Sequence, residues 1–118
     1  MINKDTKLYG SFSLNAGNKG CEFFNKEFSN HKLNSIYKSF SVKSIKQAVD
    51  AALTLNMSGF AVSMPYKKEI LTHCNEHSDA VVKIGAANTV INNSGKLFAH
   101  NTDYLAIIKF FSTGHYNN

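Results

Sequence analysis

The sequence predicts an α/β fold, a three-layer α-β-α domain whose mostly parallel sheet contains one antiparallel strand. Strand-like runs alternate with stretches of helical periodicity along the 118 residues. The run from Gly59 to Met64 is compact and apolar, as a strand covered on both faces requires. Asn92-Asn93-Ser94-Gly95 then separates two further strand-like runs by a tight-turn signal, which turns one strand against its neighbours.

Lys7 to Ser13 reads as the first strand, followed by a loop carrying Gly17 and Gly20. Phe23, Phe24 and Phe28 recur at helical spacing, so a helix is expected from about Gly20 to His31. Leu33 to Val42 alternates through Ile36, Phe40 and Val42 as a second strand. Ser44 is placed to cap a helix whose apolar face is Ile45, Ala48, Val49, Ala52 and Leu55, with Asn56 closing it. The buried strand from Gly59 ends at Pro65, and a helix is expected to begin near Tyr66. Ser78 caps a further helix at Asp79. Asn88 to Ile91 and Lys96 to His100 form the hairpin. The last helix opens at Asn101-Thr102-Asp103 and carries Tyr104 to Phe111. It is apolar almost all round and so needs cover on more than one side. Either it packs between two sheets' worth of structure or a partner covers it, and self-association of the chain as a homodimer is expected through the 102–111 helix.

Composition excludes several classes. With 43% hydrophobic residues the chain has enough for one core, and no apolar run is long enough to span a membrane. Met1-Ile2-Asn3-Lys4-Asp5 lacks a signal-peptide pattern, and Cys21 and Cys74 lack CxxC spacing, so free thiols in the cytoplasm are expected. The net charge of +5 comes from lysine alone. Without arginine's planar fork, and with Lys67-Lys68 the only adjacent pair, the charge does not read as a nucleic-acid surface.

The chemistry points to two short segments. Ala61-Val62-Ser63-Met64-Pro65-Tyr66-Lys67 puts a lysine just past the most buried strand, where open α/β sheets bind ligands. Asn101-Thr102-Asp103 puts a carboxylate at a helix start, where the helix dipole favours it. Brought together, Lys67 and Asp103 form a proton-transfer pair. Asn88 and Thr102 add neutral groups suited to gripping hydroxyls, although Asn88 serves equally well as an Asx-type structural residue. His73-Cys74-Asn75-Glu76-His77 matches HxxEH, but Ser78-Asp79 restarts a helix cap immediately and no distant third ligand stands out, so no metal is expected. Gly10, Gly17 and Gly20 do not make GxGxxG, and no cofactor-binding residue is assigned.

The two segments, with Gly85-Ala86-Ala87-Asn88-Thr89-Val90 between them, closely resemble the N-terminal substrate domain of shikimate dehydrogenase. The resemblance runs from about Lys7 to Phe111. The opening Met1 to Thr6 and the pair Asp103-Tyr104 are most similar to the divergent shikimate dehydrogenase-like subgroup. It implies NADP-dependent reduction of 3-dehydroshikimate to shikimate, a step of chorismate and aromatic amino-acid biosynthesis. Lys67 would be the proton donor and acceptor, and Asp103 its partner, also binding a ring hydroxyl. Asn88 and Thr102 would hold ring hydroxyls, and Ser63 stands where the family usually has threonine. The family's SxS pair, which grips the substrate carboxylate, aligns with Lys19-Gly20-Cys21. Lys19 would supply a charge there instead, with Ser11, Ser13 or Asn18 nearby. The family's second domain, a Rossmann module for NADP, does not fall within residues 1–118. The expected organisation is therefore a substrate domain at 1–111 and a tail at 112–118, without the NADP-binding domain and without turnover by itself. The alternative is a non-catalytic binding module or relic for a shikimate- or quinate-like polyhydroxy acid.

Overall fold

β-Branched and aromatic residues in strands, and serine caps before apolar helical faces, generate eleven elements in the computed structural model, which describes residues 2–113. They are β1 (Lys7–Ser13), α1 (Lys19–Asn30), β2 (Ser35–Ser41), α2 (Ile45–Thr54), β3 (Gly59–Val62), a 3-10 turn (Glu69–His73), β4 (Glu76–His77), α3 (Asp79–Ile84), β5 (Thr89–Asn93), β6 (Lys96–His100) and α4 (Tyr104–Thr113). The sheet order is β2-β1-β3-β5-β6-β4. β5 runs antiparallel to both neighbours, while β1–β2, β1–β3 and β4–β6 are parallel. The three-layer sheet with one antiparallel strand is thus as expected.

Local signals act where the sequence placed them. Ser44 and Ser78 accept from the backbone N–H of Gln47 and Val81, capping α2 and α3. Ser94 and Gly95 both take positive φ, the backbone a two-residue hairpin needs. Asn92 secures that turn by accepting from Gly95 N–H and donating to the Met57 carbonyl.

The two faces of the sheet carry separate cores. On one, Phe12, Phe60, Val62, Val90, Leu97 and Ala99 meet Ile45, Ala48, Val49 and Ala52 of α2, Ile70 and Val81. On the other, Tyr9, Tyr37 and Ile91 meet Phe24 and Phe28 of α1 and Ile107, Ile108 and Phe111 of α4. Each large side chain fully buried here contributes about 2 kcal/mol of transfer free energy. Aromatic contacts orient the second core, with Phe24 stacked on Tyr37 at 4.6 Å between centroids and Phe111 at 4.0 Å from Tyr9.

Four expectations are corrected. No α-helix begins near Tyr66. The apolar stripe there is only Tyr66, Ile70 and Leu71, too short for an amphipathic helix, and the chain makes a 3-10 turn. The buried strand closes at Val62, and Ser63 begins a turn whose carbonyl accepts from Tyr66 N–H. Sheet-edge pairing then captures the next segment. Asn75 N–H donates to the Leu97 carbonyl, the Asn75 side chain accepts from Leu97 N–H, and Glu76–His77 becomes β4. Finally, α4 spans Tyr104–Thr113, so Thr102 and Asp103 precede it.

α4 lies over His100, whose ring is 5.1 Å from Phe110 and whose Nε2 is buried with no hydrogen-bond partner. Burial lowers its pKa below the ordinary 6.5. A depressed histidine pKa means the unfolded chain binds the proton more readily, so stability is full above about 6.5 and falls as pH drops through that value toward the folded pKa. Urea midpoints measured between pH 7.5 and 5.5 should decline, and His100→Phe should flatten part of that decline. Parallel profiles for both proteins would reject the assignment.

Candidate active site

The three segments singled out in the sequence meet through the backbone of residues 86–88. Ala87 N–H donates to the Lys67 carbonyl at 2.8 Å, and Val62 N–H donates to the Asn88 carbonyl at 2.8 Å, tying the loop after β3 to the start of β5. On the other side, Asn88 Nδ2 donates to the Thr102 carbonyl at 2.7 Å, and its Oδ1 accepts from Thr102 N–H at 3.1 Å and from Thr89 Oγ1 at 2.9 Å. Asn101 Nδ2 reaches back to the Ala86 carbonyl. The Asn88 carboxamide therefore clips the segment before α4 to β5. Both acceptor lone pairs and one donor hydrogen are used, leaving one N–H for a ligand.

Asp103 serves as a cap. Its Oδ1 accepts from Ala106 N–H at 2.9 Å, and the carboxylate is exposed. Among the described residues no ion pair joins it to Lys67. The lysine, half-buried, instead lines a cavity of about 440 Å³ beyond the C-terminal ends of β1, β2 and β3. Its wall includes Ser11, Ser13, Lys19, Ser39, Ser63 and Tyr104, with Gly20 and Tyr37. Thus Lys67, Ser63, Ser13 and Lys19 come together in one hollow. Asn18, Asn88, Thr102 and Asp103 are outside its lining, the last three adjoining Lys67 through the 86–88 bridge. Asn18 sits at the N-terminus of α1 and makes no side-chain cap there.

The hollow exists because side chains shrink along one face of the sheet. On that face β1 presents Tyr9, Ser11 and Ser13, and β2 presents Tyr37, Ser39 and Ser41, paired row by row in the parallel register. The tyrosine row is filled by α1 and α4, while the serine rows leave space. Ser39 and Tyr37 were not singled out from the sequence, and Tyr104 entered only in the pair that marks the subgroup, not as a site residue. The duplicated Ser11-Phe12-Ser13 and Ser39-Phe40-Ser41 is the signal that points to Ser39, since period two puts all four serines on one face, with Tyr37 one step back along it. Burial pushes the Tyr37 phenol above its ordinary pKa, a hydrogen bond shared with Ser11 working the other way.

The model of the shikimate dehydrogenase substrate-binding domain matches residues 19–90. The chain belongs to this family. It is similar to the shikimate dehydrogenase-like protein of Haemophilus influenzae, 39% identical over 117 residues, covering 99% of this chain and 43% of that protein. It is also similar to shikimate dehydrogenase (NADP(+)) of Lactococcus lactis subsp. lactis, 43% identical over 86 residues, covering 71% of this chain and 30% of the relative. The crystal structure of shikimate 5-dehydrogenase from Listeria monocytogenes in complex with shikimate and NAD superposes with a TM-score of 0.82 at 30% identity, over 97% of this chain and 41% of that one. The chain spans less than half the length of these relatives.

The family implies a nicotinamide dinucleotide, and the described residues do not fit one. Gly17 and Gly20 belong to no GxGxxG loop, and the cavity is lined by serines and two lysines. Nor do the described residues hold a cluster of three or more metal-ligating side chains. In the HxxEH segment, Glu76 pairs with Lys96 at 3.5 Å and His77 Nε2 lies 3.0 Å from the Leu71 carbonyl. Cys21 and Cys74 are free thiols, Cys74 with its pKa pushed up to about 11 by burial.

Asn88→Ala removes three hydrogen bonds from the bridge and should cost about 2 kcal/mol in urea unfolding. Asn88→Asp keeps the acceptors but loses the donor to Thr102, and should cost less than Asn88→Ala. Hydrogen exchange at Thr102 should accelerate in both. Unchanged stability in Asn88→Ala would show that water replaces the clip.

Proposed function

We propose that this chain is the substrate-binding and proton-transfer part of an NADP-dependent shikimate dehydrogenase, acting on 3-dehydroshikimate and shikimate. One observation carries the reading: in a chain of this family, Lys67 and Lys19 line a single hydroxyl-rich cavity at the C-terminal strand ends. A carbonyl reduced to a hydroxyl takes up one proton at oxygen. Lys67 supplies it, and accepts it back in the reverse direction. Asp103, one carboxylate oxygen committed to Ala106, has the other available for Lys67 and a ring hydroxyl. The remaining Asn88 N–H, Thr102 and Ser63 hold ring hydroxyls. Lys19, with Ser13 and Asn18, faces the carboxylate end. NADP is held outside these residues, so the hydride half of the reaction is not theirs.

The outward side of α4, where Leu105 is 70% exposed, is the surface we assign to the nucleotide-binding domain or to a second copy of the chain. No described helix is long and apolar enough to cross a membrane. With its free cysteines the protein is read as cytoplasmic.

The missing Lys67–Asp103 ion pair favours a second reading, a binding module without catalysis. One experiment separates the two. The chain is fused to the nucleotide-binding domain of a relative, and shikimate-dependent NADPH formation is followed. Lys67→Met should lower the rate about 100-fold or more. Shikimate titrated into the 118-residue chain should shift amides near Ser63 and Lys67. Binding with an inactive fusion supports the module, and activity that survives Lys67→Met removes the lysine from its role.

A further inference from the structure

We propose that Tyr104 is a specificity-determining residue of this cavity, its phenol donating a hydrogen bond to the carboxylate of the bound acid. The inference rests on the cavity being the acid-binding site. Tyr104 lines the hollow together with Lys19, Gly20 and Tyr37. Its ring is held against α1, with centroids 5.1 Å from Phe23 and 5.0 Å from Phe24, so packing fixes where the hydroxyl stands.

Gly20 explains why it can stand there. A Cβ built on Gly20 would lie 3.3 Å from the Tyr104 hydroxyl and 3.4 Å from the Tyr37 hydroxyl. The first distance is tighter than most carbon contacts, so a side chain at position 20 and the phenol at 104 compete for one space. A small hydroxylated side chain on α1 and a phenol from α4 are alternative means of putting a donor at that point. This chain has the second. Of the two phenols, Tyr37 is 2% exposed and Tyr104 38%, so Tyr104 is the one open to a ligand in the cavity. The ammonium of Lys19 on the same lining makes an anionic oxygen the matching acceptor, since hydrogen bonds to charged acceptors are the stronger kind.

The test titrates the 118-residue chain with shikimate and with methyl shikimate, following amide shifts. Tyr104→Phe removes only the hydroxyl and keeps the ring against Phe23 and Phe24. It should weaken shikimate about tenfold and the ester by no more than about twofold. Adding Gly20→Ser to Tyr104→Phe should recover much of the loss, because the serine then enters the vacated space. Gly20→Ser with the phenol present should instead weaken shikimate. Equal losses for acid and ester, or no loss for either, overturn the role of Tyr104 and leave the cavity as the binding site. A wild-type chain that binds neither ligand overturns both readings.

Discussion

Residues 86–88 hold the candidate site together, and they do it chiefly with backbone. The two segments to which the chemistry is assigned lie on opposite sides of β5, one leaving β3 and the other leaving β6. Among the described residues no side-chain hydrogen bond or ion pair joins the two; each is bonded to Ala86, Ala87 or Asn88 instead. Reversing β5 makes this possible. Because β5 is antiparallel to β3 and β6, its N-terminal end lies beside their C-terminal ends, and its first residues bridge both. A parallel β5 would present its C-terminal end there.

The hollow itself depends on a step in side-chain size. Tyr9 and Tyr37 lie in register, and Phe24, Phe28 and Phe111 pack onto that row. The helices therefore keep an aromatic distance from the sheet, and one turn further on the serines cannot fill the gap. Close packing elsewhere makes such a void costly unless its walls are polar enough to be wetted or occupied. Here Ser11, Ser13, Ser39 and Ser63 supply that polarity.

Much of the fold was legible because its signals are local. The strand Lys7–Ser13, the serine caps and the Ser94-Gly95 reversal each need only a few neighbouring residues. The segment after Pro65 was not legible, because partners far along the chain decide it. Tyr66 is fixed by its hydroxyl donating to the Val42 carbonyl, and β4 is fixed by the register of β6. The site was legible in part for the same reason. Lys67 and Asp103 announce themselves at element boundaries, whereas Tyr104 becomes a wall of the cavity only through the packing of α4 on α1. For Asn88 the structural role is the one on view, its carboxamide clipping Thr102 to β5.

The two lysines of the cavity are held very differently, and the difference matches the roles assigned to them. Lys67 follows the buried Tyr66, and its own carbonyl accepts from Ala87, so its backbone is fixed on both sides. Lys19 opens α1, exposed and next to an uncapped Asn18. Moving a proton to a reacting oxygen requires placement within a fraction of an ångström, because misplacement of a catalytic group is paid in rate. Attracting a carboxylate requires only a charge at the right end of the hollow, since electrostatic attraction falls off gradually with distance. An exposed cation meets that requirement, while directed hydroxyls set the acid's register. The half-buried lysine is thus the one suited to the proposed proton transfer and the exposed one to the proposed capture of the acid, an asymmetry of burial between the two ends of the hollow.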